Sequence, residues 1–208
     1  REAFISHFIH EIFKDRSIDP AIYIFVNGGE LSHYNSDELK SYGEDIFINE
    51  LIPHIDREYR TISDRQGRGL EGFSQGGRAA TRYMFKYPHL FGTVVAGGGS
   101  YSIEKLIRED DGFEDDPRDN KDNIFYVGSG NDAWSLAEQH KYSTNVSPKL
   151  MLWTGLDDMN YSSIEEYHSF LEKLEIGHEF LTIEDVDHNS LVFYEKEGES
   201  LVKFHIGY

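Results

Sequence analysis

The chain is expected to fold as an α/β domain, with a mostly parallel sheet carrying helices on both faces. Three observations predict this. Short apolar runs rich in β-branched and aromatic residues alternate with longer segments of helical periodicity. Several of the runs are apolar throughout rather than every second residue, as in strands covered on both sides. Glycine falls at the ends of the runs: Gly28 and Gly29, then Gly97, Gly98 and Gly99, then Gly155.

The elements follow in order. Phe4, Phe8, Ile9, Ile12 and Phe13 recur at helical spacing, so an amphipathic helix opens the chain and is broken between Ser17 and Pro20. Residues 21–26 form a continuous apolar, β-prone run and are expected to be a buried strand, ended by Asn27 and the two glycines. A polar loop runs to about Gly43. Ile46, Phe47, Leu51, Ile52 and Ile55 then predict a helix interrupted near Pro53. Residues 70–73 read as a strand and residues 77–85 as the helix after it, stopped at Tyr87 and Pro88. Residues 93–96 are a short buried strand. Residues 109–123, acidic and polar, are expected to run over the surface. Residues 149–153 form a strand, and a helix follows from about Ser162 to Leu174 with Ile164, Tyr167, Phe170 and Leu171 on one face, closed by Gly177. Residues 179–183 are the last strand. A final helix from about Asn189 carries Leu191, Val192, Leu201, Val202 and Phe204.

Between the 70–73 strand and its helix lie Gly72, Phe73, Ser74, Gln75 and Gly76, a Gly-x-Ser-x-Gly motif. Strand, sharp turn and helix are the setting in which a serine hydroxyl is exposed as a nucleophile. The glycines are expected to let strand and helix approach without a Cβ clash. The helix N-terminus favours developing negative charge, and the backbone N–H of Gln75 is placed to point at an oxyanion. A serine hydroxyl needs a base near neutral pH, and imidazole suits. His188 follows the 179–183 strand. Asp157 and Asp158 follow the 149–153 strand. A lone histidine in such a polar loop is usually just solvated, and a pair of aspartates in a loop is usually a helix cap. Taken together, serine, acid and histidine each lie just past a predicted strand, where the functional groups of parallel sheets gather, and in the chain order of α/β-hydrolases.

Five stretches carry a family likeness: residues 21–28, residues 50–55 with their Leu-Ile-Pro core, residues 68–77 around the motif, residues 85–88 and residues 177–180. In these, and over nearly all of its length, the chain resembles the putative esterase family of α/β-hydrolases. That group includes feruloyl and acetylxylan esterases, enterochelin esterases, S-formylglutathione hydrolases and mycolyltransferases. The resemblance implies an α/β-hydrolase fold and a serine carboxylic ester hydrolase. Ser74 would be the nucleophile, His188 the base and Asp158 the acid, the last residue of a Gly-x-x-Asp stretch from Gly155. Asp157 remains the alternative acid. Neither a metal nor an organic cofactor is implied. The substrate would be a small-molecule or carbohydrate-linked, phenolic or siderophore-type ester. Acyl transfer by the same three residues, or glycan binding without turnover, stay as alternatives.

The likeness also implies something outside these residues. In the family, several strands and a His-Gly-type loop precede the region where this chain starts, and that loop supplies a second oxyanion N–H. The chain opens on Arg1 without a recognisable signal sequence. It is therefore expected to be one domain over residues 1–208, the C-terminal part of a longer product. A separate N-terminal segment would complete the fold, with a strand between residues 21–26 and the strand before Ser74.

Composition narrows the partners. Thirty-eight acidic against 20 basic side chains give a formal net charge of -18. That balance argues against nucleic acid and against anionic membrane surfaces. No run is long and apolar enough to predict a membrane span. The lack of cysteine excludes disulfides, thiolate metal sites and cysteine nucleophiles. The compartment stays open, and an extracytoplasmic one is compatible with these features. His7 with His10, and Glu165 with His168, stand three apart on predicted helices, but no third metal ligand accompanies either pair. The acidic residues from Asp110 to Asp119 lack the spacing of a calcium loop. Gly97, Gly98 and Gly99 read as backbone room beside the site rather than a phosphate cradle. Trp134, Trp153 and Tyr161 could line an acyl or sugar pocket, although single aromatics of this kind more often belong to the core.

Overall fold

The structure is a computed structural model that describes residues 2–14, 18–28, 33–37, 40–101, 106–108, 124–126, 130–143 and 146–206. Helix α1 (Glu2–Lys14) opens the chain, and two-residue strands β1 (Asn35–Ser36) and β2 (Ser41–Tyr42) pair antiparallel. A continuous helical stretch follows as α2 (Gly43–Asp45), a π-helical turn (Ile46–Leu51) and α3 (Ile52–Glu58). The wide turn lies directly before Pro53, which has no N–H to offer the preceding turn and whose ring crowds the carbonyl four residues back. The expected interruption thus takes the form of a π-turn rather than a break.

Strand β3 (Gly69–Phe73) leads into α4 (Gln75–Lys86), and β4 (Thr93–Gly97) follows. Strands β5 (Leu106–Arg108) and β6 (Ile124–Tyr126) pair antiparallel, followed by α5 (Ala133–Ser143). Then come β7 (Lys149–Gly155), α6 (Tyr161–Lys173), β8 (Glu179–Ile183) and α7 (Ser190–Ile206). Strands β3, β4, β7 and β8 form one parallel sheet in that order. Alternation along the buried strands divides the core in two. Val94, Ala96, Leu150 and Leu152 face a cluster built with Met84, Ala137, Tyr167 and Leu171 from α4, α5 and α6. Val95, Met151 and Trp153 face the opposite cluster with Ile9, Phe193 and Leu201 from α1 and α7. Helices therefore cover both faces, as the apolar runs predict.

One expected strand is not formed. Residues 21–26 make no ladder with any described residue, and Ile22, Ile24, Phe25 and Val26 are 51%, 42%, 45% and 42% exposed. A β-prone run becomes a strand only when a neighbour takes up its N–H and C=O groups, and no described strand pairs with this one. Strand β3 is an edge of the sheet among the described residues. Three elements were not foreseen: the β1–β2 pair, the β5–β6 pair and α5. The acidic stretch 109–123, with its possible cation ligands, lies outside the described residues.

A buried ion cluster fixes the back of α4. The Arg82 guanidinium is fully buried, donates to Glu44 Oε2 at 3.1 Å and to the Asn131 carbonyl at 2.8 Å, and stacks 3.6 Å from the Tyr34 ring centre. Lys86 Nζ and the Tyr87 hydroxyl donate to Glu44 Oε1 at 2.5 Å and 2.6 Å. Burial alone would raise the Glu44 pKa; the hydrogen bonds from Lys86 and Tyr87 and the neighbouring positive charges outweigh it and hold the carboxyl below its usual range. His33, whose carbonyl accepts from Tyr83 at 2.9 Å, is pushed down to about 4 by burial and then by the charges of Arg82 and Arg78.

Candidate active site

The site is built where three strands of the sheet end. Phe73 closes β3, and Ser74 turns the chain into α4 with φ 58 and ψ -119, a conformation that L-residues rarely adopt. Such strain persists only where the surroundings enforce it. Here they are visible. The Ser74 N–H donates to the Gly97 carbonyl at 2.8 Å, and the Ser74 carbonyl accepts from Arg78 N at 3.1 Å. A Cβ on Gly72 would strike the Gly76 backbone, and one on Gly77 would come 2.5 Å from the Gly97 carbonyl oxygen. Gly76 itself has open space around its Cβ position. Close approach is thus required at Gly72 and Gly77, not at both glycines of the motif. Gln75 is the first residue of α4.

The two candidate acids follow β7. Asp158 has a fully buried side chain, while Asp157 is exposed and its N–H donates to the Val186 carbonyl at 3.1 Å. The two adjacent carboxylates point apart, and the one facing the site is Asp158. His188 lies between β8 and α7. Its Nδ1 is 3.0 Å and 3.1 Å from the two Asp158 carboxylate oxygens, and its Nε2 is 3.0 Å from Ser74 Oγ. With the proton on Nδ1, that nitrogen donates to the carboxylate and Nε2 is left to accept from the serine hydroxyl. The ring rests against Phe73, centroids 4.7 Å apart, and Phe73 in turn stacks on Trp153. A wall of aromatic side chains therefore limits how far the imidazole can swing.

The glycines after β4 give the site its backbone room. A Cβ on Gly97 would enter the Trp153 ring, and Gly98 has φ +60 with its Cβ position against the Phe73 ring. Trp153 is a core residue, stacked between Phe73 and Phe193. Trp134 donates its indole N–H to the Tyr101 carbonyl and packs on Tyr167 and Phe170. The Tyr161 hydroxyl donates to Glu165 at 3.3 Å. His168 lies 2.7 Å from His178 and stacks on Phe180. His7 and His10 are exposed on α1. No group of three metal-ligating side chains is present among the described residues.

Sequence reasoning passed over Asn160, whose side chain donates to the Gly98 carbonyl at 2.9 Å and whose N–H donates to Asp158 Oδ1 at 2.8 Å. The only available signal was an asparagine just ahead of a predicted helix, which ordinarily reads as a cap.

The described chain has no helix long and apolar enough to cross a membrane. An esterase of Mycobacterium tuberculosis is 30% identical over 90 residues, 41% of this chain and 20% of the relative. An endo-1,4-beta-xylanase/feruloyl esterase of Xylanibacter ruminicola is 28% identical over 103 residues, 46% of this chain and 14% of the relative. The matched regions are thus a minor part of these curated relatives. A solved fluorophosphonate-binding serine hydrolase of Staphylococcus aureus superposes with a TM-score of 0.71 at 14% identity, covering 85% of this chain and 68% of that one. The family described as Putative esterase matches residues 1–170, a span that includes Ser74 and Asp158 and stops short of His188. With that match over most of its length, the chain belongs to the putative esterase family and has the α/β-hydrolase fold.

Proposed function

We propose that the protein is a serine carboxylic ester hydrolase acting through Ser74, His188 and Asp158. The observation that carries this is the unbroken hydrogen-bonded chain from a buried carboxylate through an imidazole to a serine on a strained turn. Ser74 Oγ attacks the ester carbonyl carbon while its proton passes to His188 Nε2. Asp158 holds the imidazole and stabilises the imidazolium that forms. The carbonyl oxygen becomes an oxyanion at the N-terminus of α4, where the Gln75 N–H donates to it. Collapse expels the alcohol, which takes its proton from His188, and leaves an acyl group on Ser74. Water, deprotonated by His188, then releases the acid and restores the hydroxyl. Family membership and the relatives named above support a small, carbohydrate-linked or phenolic ester as substrate.

Hydrolysis of p-nitrophenyl acetate and methyl ferulate by the parent chain and by Ser74→Ala tests the reading. The expected result is turnover that falls at least about 1,000-fold in the variant. Equal rates in the two proteins would overturn it.

The exposed run 21–26 and the edge position of β3 support a further proposal, that an additional strand seats between them and brings a second oxyanion donor. An intact mass of the native protein above that of these 208 residues supports it, and an equal mass contradicts it.

A further inference from the structure

We infer that Asn160 is a positioning residue that ties the acid to the strut holding the nucleophile; the inference rests on the roles proposed for Ser74, His188 and Asp158. Ser74 and Asp158 leave the sheet from β3 and β7, and β4 lies between those strands. The end of β4 contacts both sides. The Gly97 carbonyl accepts from the Ser74 N–H at 2.8 Å. The next carbonyl, of Gly98, accepts from Asn160 Nδ2 at 2.9 Å, while the Gly98 N–H donates to the Trp153 carbonyl at 3.1 Å. Asn160 then reaches the acid with its own N–H, 2.8 Å from Asp158 Oδ1. A closed circuit results: Ser74 backbone, Gly97 and Gly98, Asn160, Asp158, His188 and back to the Ser74 hydroxyl.

The local chemistry shows that this use of Asn160 displaces its ordinary one. It occupies the N-cap position of α6, where an asparagine normally accepts from a first-turn N–H; here its side chain makes no such bond. The amide is spent on Gly98 instead, and only a donor suits that carbonyl. Aspartate has the same shape but would set a carboxylate oxygen against the carbonyl and a second negative charge beside Asp158. A capping role and a positioning role therefore respond oppositely to Asn160→Asp, because aspartate caps helices as well as asparagine does.

The test compares the parent chain with Asn160→Ala, Asn160→Asp and Asn160→Ser, the last retaining a hydroxyl donor. Three quantities are read: the rate of fluorophosphonate addition to Ser74, the tautomer of His188 from its ¹⁵N shifts, and the unfolding temperature. Positioning predicts addition slowed about 10- to 100-fold in the alanine variant, with mixed His188 tautomers and a small change in unfolding temperature. Aspartate is slower than the parent although it suits a helix N-cap as well as asparagine does, and serine recovers part of the rate. Parental rate and tautomer in Asn160→Ala, or full recovery of both rate and stability in Asn160→Asp, would overturn the inference. If the parent itself does not react, the proposed function fails; the ¹⁵N comparison then decides the role of Asn160 alone, an altered tautomer supporting it and an unaltered one refuting it.

Discussion

Residues 93–97 and residues 21–26 are both short, apolar and β-prone, yet they end in opposite states. The first is β4, flanked by β3 and β7 and buried along its whole length. The second is unladdered among the described residues and exposed at five of its six positions, all but Tyr23. Composition states what a run prefers once it is paired; the neighbour decides whether it pairs. The same rule governs the charged groups. Arg82 can be buried because Glu44 and Asn131 meet its guanidinium and offset its lost hydration.

The strongest way to break this comparison is to take a partner away. Glu44→Ala strips Arg82 of its carboxylate and Lys86 and Tyr87 of their acceptor. It is expected to cost about 3–5 kcal/mol in chemical denaturation; a loss below about 1 kcal/mol would show that the cluster is not a unit. Next, Leu152→Ala at a fully buried position of β7 should cost about 2–5 kcal/mol, and Ile24→Ala in the unpaired run under about 1 kcal/mol. Similar costs at the two positions would mean that residues 21–26 are packed in solution.

The smallest effect is on pH. His33 is held neutral, with a pKa lowered to about 4, so the unfolded chain binds a proton that the folded chain resists. The stability that His33 contributes is therefore full above about pH 6.5 and is lost as pH falls toward 4. Glu44, held below its usual range, gives up its contribution at still lower pH, as it is protonated. Unfolding temperatures between pH 7 and 4 should fall less steeply in His33→Gln than in the parent. Parallel curves would remove His33 from the account.

Much of the site was legible because its signals are local. The motif around Ser74 names its own turn, and Asp158 and His188 each follow a recognisable apolar run. The choice between Asp157 and Asp158 was not legible. It depends on which way a loop turns; the Asp157 N–H bonds Val186 and the Asp158 N–H bonds Gly155, and the carboxylate that meets His188 is that of Asp158. The failure at residues 21–26 has the same root, since a missing ladder partner leaves no mark on the run that lacks it. Nor could spacing reveal that Glu44 would meet Arg82 and Lys86, or that Gly77 rather than Gly76 is pressed against β4. Helix α5 was missed because its apolar residues are few and its buried set includes His140.

The account stands on Ser74 being an activated nucleophile. Incubation with a fluorophosphonate probe, followed by peptide mapping of the parent chain and of His188→Ala, measures this most directly. The account predicts a stoichiometric adduct on Ser74 in the parent and its loss in the variant. An unlabelled Ser74 in the parent, or equal labelling without His188, would contradict it.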